Sequence, residues 1–173
     1  MGLLSDIHED VSSLRWALDT LRRERVDQFV CLGDVSEDGS AIAETCALLA
    51  EVRAVGVWGN HGFGLCTAPL DWLGDRFPPE ALFYIRSYRA RLSIDDCHFS
   101  HIEPCLDASS PLDLWQQPVA PDSMERLARN WNAVRERRLF MGHLHRWFAA
   151  SSEGVIDWWG RGRCPPRDAI ATS

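Results

Sequence analysis

The stretch Gly2-Leu3-Leu4-Ser5-Asp6-Ile7-His8 leads to Leu14, Ala17, Leu18 and Leu21 at helical spacing, then to Gln28-Phe29-Val30-Cys31-Leu32-Gly33-Asp34, and it decides the fold. A short apolar run delivers a polar loop, an apolar stripe recurs every three to four residues, and a second apolar run delivers another polar pair. The order is strand, helix, strand. Ser12 or Ser13 is placed to cap the helix. Working outward, residues 41–52 read as a second helix with Ile42, Cys46 and Leu49 on one face, and residues 54–58 as a third strand. This β-α-β-α-β order predicts an α/β fold with a parallel sheet covered by helices.

Beyond Asn60 the pattern loosens. Gly62, Gly64, Pro69, Gly74, Pro78 and Pro79 mark a long loop with one short helical turn, and Pro79 suits the start of a helix reaching about Tyr88. Residues 91–94 and 97–100 flank Asp95-Asp96 as a hairpin. A loop over residues 103–121, rich in Pro, Asp and Ser, leads to a helix capped by Asp122 or Ser123 and running to about Arg137. Residues 139–141 read as a strand, and residues 147–150 and 155–159 as a second hairpin. After Gly160 the Pro165-Pro166 pair and sparse apolar content predict a poorly ordered tail.

The 173 residues predict one domain, with a core that needs no covalent staple. No apolar run reaches the ~20 residues of a membrane helix, and no basic, apolar leader opens the chain, so a cytoplasmic protein is expected. Cys31, Cys46, Cys66, Cys97, Cys105 and Cys164 form no C-x-x-C pair and read as reduced, mostly buried thiols. The net charge of −7 argues against a broad nucleic-acid-binding face. All 18 bases are Arg, as codon bias in a GC-rich genome would produce. Trp131, Trp147, Trp158 and Trp159 read as core or hairpin packing rather than a base-stacking platform. Arg146, next to His145, reads as a surface residue whose fork could reach a phosphate.

Four clusters each follow a predicted strand: Asp6-Ile7-His8, Gly33-Asp34, Gly59-Asn60-His61 and Gly142-His143-Leu144-His145. His101 follows a further strand. Ligands of α/β sheets collect beyond the carboxyl ends of strands, so these loops are expected to converge. In extended backbone, residues i and i+2 point the same way. Asp6 with His8, and His143 with His145, are therefore each expected to aim a pair at one spot. Imidazole and carboxylate donors without thiolate suit zinc, iron or manganese and argue against a structural zinc site. Gly33-Asp34 alone would read as an ordinary turn. Five of the six histidines gathered after strand ends with two Asp and an Asn do not read that way.

The ordered set Asp-x-His, Gly-Asp, Gly-Asn-His, His, Gly-His-x-His resembles the calcineurin-like metallophosphoesterases, over Asp6 to His145. The length is similar to the small bacterial and archaeal phosphodiesterase branch. Gly33-Asp34 continues as Val-Ser-Glu-Asp-Gly, unlike the Asp-Arg-Gly continuation of the protein phosphatases. The resemblance implies a four-layer α/β/β/α sandwich of two mixed β-sheets flanked by helices. It implies hydrolysis of phosphate esters, phosphodiesters first and monoesters as the alternative, at two divalent transition-metal ions (Mn, Fe, Zn or Ni, with Mn expected in vitro). Asp6, His8 and His145 would bind the first ion, and Asn60, His101 and His143 the second. Asp34 would bridge, having two oxygens to share. His61 would face the phosphate and protonate the leaving alkoxide.

The sequence departs from this pattern in three places. Relatives follow Gly-Asn-His with Asp or Glu, which orients the histidine; here Gly62 stands there, and Glu9, Asp10 or Glu37 are the carboxylates that could substitute. The glycine usual after the fifth-cluster histidine is Ile102, and His98 competes with His101, which is favoured by its place at a strand end. The first strand begins only five residues before Asp6, implying an upstream start or a clipped strand. A scaffold that keeps the fold without catalysis is the rival class, and the presence of all seven ligand candidates together with His61 speaks against it.

Overall fold

The computed structural model describes residues 1–117, 123–151 and 153–159. The expectations for Asp122, for Cys164, for the tail beyond 160 and for the packing of Trp147, Trp158 and Trp159 lie outside the described residues and side chains.

Strand β1 (Gly2–Leu4), helix α1 (Val11–Arg23), β2 (Phe29–Cys31), α2 (Ile42–Glu51) and β3 (Val55–Gly56) follow in the expected order. The strands pair in parallel with β2 central, Leu3 opposite Val30 and Val30 opposite Val55. Side chains alternate across this sheet because the strand repeat is two residues. Leu4, Phe29 and Cys31 join Leu14 and Leu18 of α1, Ile42, Cys46 and Leu49 of α2, and Leu82 and Ile85 of α5 (Pro79–Ile85). Leu3, Val30, Leu32 and Val57 face the other way, onto Cys97, Phe99 and Phe140. Both faces are covered, which is why these strands are nearly continuous apolar runs.

The second sheet pairs β4 (Arg91–Ile94) antiparallel with β5 (Cys97–Ser100), and β5 parallel with β6 (Arg138–Met141). Phe99, fully buried, stacks on Phe140 at 5.4 Å between centroids and anchors the contact between the sheets. Truncating such a ring costs about 3–5 kcal/mol. The helix–sheet–sheet part of the expected α/β/β/α order is thus present. Helix α7 (Met124–Asn132) is the candidate for the remaining layer, and its Arg126 and Asn130 side chains both bind the Glu103 carboxylate that follows β5. Strands β7 (Trp147–Ser151) and β8 (Gly154–Trp159) form the second hairpin, with a register shift between Ala149 and Ala150.

Several local expectations need correction. Asp10, not Ser12 or Ser13, caps α1: its carboxylate accepts the Ser13 N–H at 3.0 Å, while both serine hydroxyls donate to it. A carboxylate is a stronger acceptor than a hydroxyl, so it takes the cap and the serines become its donors. The middle loop holds more than one turn: α3 (Phe63–Thr67), α4 (Leu70–Leu73) and a 3-10 turn at Gly74–Arg76. Helix α6 (Pro111–Leu114) interrupts the loop before α7. Helix α7 is capped by Ser123 and stops at Asn132, five residues short of Arg137, and α5 ends at Ile85 rather than near Tyr88. No helix among the described residues is long and apolar enough to cross a membrane. Among the described residues five cysteines are free, four of them buried and Cys105 half-buried.

Candidate metal centre

The loop after β1 is laced to the loop after β2. Asp6 N–H donates to Gly33 O at 3.2 Å, His8 N–H to Asp34 O at 2.9 Å, and Glu9 N–H to Val35 O at 3.0 Å. The backbone there is left-handed rather than extended, with φ of 51° at Asp6, 46° at His8 and 49° at Asp34. His143 and His145 share this conformation, at 69° and 51°. The expectation that extended backbone aims residues i and i+2 together is therefore wrong in its reason. Asp6 and His8 do meet, but through left-handed backbone at each of them, held by the neighbouring loop. His143 and His145 do not share a spot; they turn to two different groups. Left-handed non-glycine residues cost on the order of 1–2 kcal/mol each, and a cluster of them marks a place where the fold holds side chains against local preference.

One group is Asp6, His8 and His145, whose ligand atoms lie within 4.8 Å of one another. His8 Nε2 is 3.2 Å from His145 Nε2, and His145 Nε2 is 3.6 Å from Asp6 Oδ1. A second group is Asp34, His101 and His143, and a third, His8 with Glu37 and His61, shares His8 with the first. His101 Nε2 is 3.2 Å from Asp34 Oδ2, 3.0 Å from Asn60 Oδ1 and 3.2 Å from His143 Nδ1. Asp34 Oδ2 also lies 3.8 Å from His8 Nε2, so it stands between the groups. Backbone contacts hold the cluster: His61 N–H donates to Asp34 Oδ1 and His143 N–H to Asp6 Oδ1, both at 3.0 Å.

The chemistry of these donors fits a cation. His101 Nδ1 lies 2.8 Å from Leu32 O, and His143 Nε2 lies 2.9 Å from Gln116 O. A carbonyl can only accept, so each ring donates an N–H there and turns an unprotonated nitrogen inward. Those two nitrogens face each other at 3.2 Å beside a carboxylate oxygen and an amide oxygen. Four acceptors converging in a buried place require a proton or a metal ion between them. In the absence of an ion, burial opposes charge on His101, but Asp34 outweighs it and raises the His101 pKa. Burial likewise pushes against the Asp34 carboxylate, and the hydrogen bond and charge of His101 more than offset it, holding its pKa below the usual value.

Glycine makes the convergence possible. A Cβ at Gly59 would overlap Asp34 Oδ1. A Cβ at Gly33, whose φ is 101°, would lie 2.5 Å from His101 Nδ1. The Gly-Asp and Gly-Asn pairs are thus close approaches and not only turns.

His61 is half-buried beside this cluster, with Nδ1 3.1 Å from Glu37 Oε2 and its ring 5.2 Å from that of Trp115. His98 stands apart: it is buried on β5 with Nδ1 3.8 Å from Glu136, and it belongs to none of the ligand groups among the described residues. Arg146 is exposed. Sequence reading missed Trp115 and the Gln116 carbonyl. Both lie in an irregular loop, where no periodicity points to a partner.

Comparison with known proteins agrees with this architecture. The described superfamily domain "Calcineurin-like phosphoesterase" matches residues 1–158. A metallophosphoesterase from Sphaerobacter thermophilus superposes with a TM-score of 0.65 at 23% identity, covering 84% of this chain and 60% of that one, a likeness that bears on the fold alone. The E. coli phosphoesterase Yfce gives a TM-score of 0.39 at 21% identity over 58% of this chain and 56% of its own, too distant to bear on the fold. An uncharacterized protein of Methanocaldococcus jannaschii is 28% identical over 65 residues, which is 38% of this chain and 27% of that protein. The chain therefore spans between 27% and 60% of the length of these relatives. With the family match running from β1 through the hairpin β7–β8, the chain belongs to the calcineurin-like phosphoesterase superfamily.

Proposed function

We propose that the protein hydrolyses phosphate esters, phosphodiesters in particular, at a centre that holds two divalent metal ions. Asp6, His8 and His145 hold one ion, Asn60, His101 and His143 the other, and Asp34 reaches both. The observation that carries this reading is the inward convergence of His101 Nε2, His143 Nδ1, Asp34 Oδ2 and Asn60 Oδ1, with the other nitrogen of each ring bound to a backbone carbonyl. Asp34 Oδ2 within 3.2 Å of His101 and 3.8 Å of His8 supports its place between the ions. When bound, such ions activate water near neutral pH and neutralise charge on the phosphoryl group.

The protein's own groups do the rest. Backbone carbonyls of Leu32 and Gln116 fix the tautomers of His101 and His143, so no reorientation is needed when an ion arrives. His61, beside Glu37 and in neither of these two ligand sets, faces the phosphate, stabilises charge on it and donates a proton to the departing alkoxide.

The test compares matched aryl phosphomonoester and phosphodiester substrates with the manganese-loaded chain and with Asp34→Ala. Faster turnover of the diester, lost in Asp34→Ala, is expected. A faster monoester makes the protein a phosphatase on the same site. Two ions bound per chain with no turnover of either ester would make it a scaffold, and full activity in Asp34→Ala would remove the site.

A further inference from the structure

We propose that the pocket bounded by Arg89 and Arg91 is a second ligand site, separate from the metal centre, which takes a small aromatic molecule carrying an oxyanion. The proposal stands apart from the hydrolytic reading and is tested without turnover.

The pocket has a volume of about 680 Å³, inside the roughly 300–1,000 Å³ range of small-molecule sites. One wall is Arg89-Ala90-Arg91, where the chain enters β4. Another is Cys105-Leu106-Asp107, in the loop after β5, and Trp58, just beyond β3, completes the lining. None of these residues belongs to the ligand groups of the metal centre.

Two guanidinium groups give the pocket its charge. Arg91 Nη2 donates to the Leu106 carbonyl, and Arg89 Nη1 donates to the carbonyls of Arg86 and Tyr88 at 3.3 and 3.1 Å. Backbone carbonyls thus hold both side chains in place without neutralising them. These bonds engage one nitrogen of each fork, and a guanidinium carries five N–H donors on three nitrogens. Among the described residues neither arginine forms an ion pair; the arginines that do are Arg15, Arg22, Arg126 and Arg137. Asp107 is the acid at the pocket, and its carboxylate is engaged in its own turn, accepting the Ser109 N–H at 2.9 Å. Two fixed, uncompensated forks lining one pocket are suited to a planar or tetrahedral oxyanion. The chain as a whole carries a net charge of −7, so the anion is selected by this local pair and not by the overall field.

The rest of the lining suits a ring. Trp58, Ala90 and Leu106 are apolar, and both indole and guanidinium planes stack on flat rings. Trp58 is half-buried and fixed: its Nε1–H donates to Ala108 O at 2.8 Å, and its ring meets that of Phe63 edge to face at 5.9 Å. The loop wall is braced as well. Leu106 N–H donates to Glu103 O at 2.9 Å, and Asp107 N–H to Asp113 Oδ2 at 2.8 Å. Ala108, next in the chain, is buried in one cluster with Ile102 and Leu114. A pocket whose charged groups and ring are already held loses little conformational freedom when it is filled.

Cys105 supplies a reporter. Its thiol is half-buried at the pocket, whereas Cys31, Cys46, Cys66 and Cys97 are buried. A molecule in the pocket shields Cys105 from alkylation.

The experiment titrates the zinc-loaded full chain with naphthalene-2-sulfonate by isothermal calorimetry. Parallel titrations use 2-naphthol, which has the ring without the charge, and inorganic sulfate, which has the charge without the ring. In the same solutions the alkylation of Cys105 is followed by peptide mass spectrometry. Arg89 and Arg91 are exposed, so Arg89→Gln and Arg91→Gln leave the core intact. Saturable binding of one sulfonate per chain is expected, with slower alkylation of Cys105 and weaker binding of both controls. Each of the two variants should weaken binding about 10-fold, the scale of a lost charged hydrogen bond. Arg23→Gln, at the exposed end of α1, should leave it unchanged. Absence of saturable binding overturns the proposal, as does binding undiminished in either pocket variant or without effect on Cys105. Binding of 2-naphthol as tight as that of the sulfonate would show an apolar cleft without anion recognition, and sulfate binding as tight would show an adventitious ion only; either result rejects the ligand class.

Discussion

The buried carboxylate of Glu9 holds Glu37 from behind: Glu9 Oε1 accepts the Glu37 backbone N–H at 2.9 Å, while its other contacts take the N–H groups of Gly39 and Ala41. Glu9 is 8% exposed, so three donors of the loop depend on a side chain that water does not replace. Glu9→Ala is expected to destabilise the protein by about 2–3 kcal/mol, because buried donors left unpaired carry their desolvation cost. Urea denaturation measures this. A midpoint equal to that of the parent would show that the loop finds other acceptors.

Gly59 and Gly64 predict opposite responses to the same change. Gly59→Ala places a methyl group against Asp34 Oδ1 and within 2.7 Å of the Asp34 backbone nitrogen, so a destabilisation of about 1–3 kcal/mol and weakened metal binding are expected. Gly64 lies inside α3 with nothing within 4 Å of its would-be Cβ. Gly64→Ala should stabilise by about 0.5–1 kcal/mol through helix propensity. Thermal denaturation and metal titration of the two variants check the pair, and equal shifts would contradict the close approach at Gly59.

Trp115 is 59% exposed and its ring lies 5.2 Å from that of His61, tilted by 42°. A flat leaving group entering beside His61 would meet its face. Trp115→Ala should raise KM for an aryl phosphodiester about 2–10-fold, in line with the ~0.5–1.5 kcal/mol of an aromatic pair, and leave KM for an alkyl diester unchanged. Parallel KM measurements on the two substrates decide this; equal changes would remove the stacking role.

Burial pushes the thiols of Cys31, Cys46 and Cys66 from 9.0 up to about 12. Below pH 9 each is protonated in both folded and unfolded chains and contributes no pH dependence. Between pH 9 and 12 the unfolded chain loses protons that the folded one keeps, so stability falls as pH rises, by up to about 1.4 kcal/mol per pH unit for each thiol. Urea midpoints measured at pH 8, 9.5 and 10.5 should decline steadily. A flat profile would mean that the three thiols are exposed to solvent.

The fold of the first third was legible in its apolar runs, because a strand buried on both faces leaves a continuous signature and an amphipathic helix leaves a periodic one. The second sheet was legible as a hairpin, Arg91–Ile94 with Cys97–Ser100. The lengths of α5 and α7 were not, since helix ends depend on caps and on tertiary contacts such as Asn130 with Glu103. The small helices α3, α4 and α6 carry too few residues for a period to emerge.

By itself the sequence determined which residue types gather after which strands. Strand order and the clusters Asp6-Ile7-His8, Gly33-Asp34, Gly59-Asn60-His61 and Gly142-His143-Leu144-His145 were sufficient for that, because chain direction in a parallel sheet brings those loops to one edge. Only the tertiary structure decided how they are shared out. It sent His143 to Asp34 and His101 but His145 to Asp6 and His8, and placed His101 in the cluster and His98 outside it. It also turned Glu37, rather than Glu9 or Asp10, towards His61. The physical reason is the left-handed backbone at Asp6, His8, Asp34, His143 and His145. Such turns are held by hydrogen bonds from neighbouring loops, and no local pattern of residues encodes a conformation that the neighbours impose.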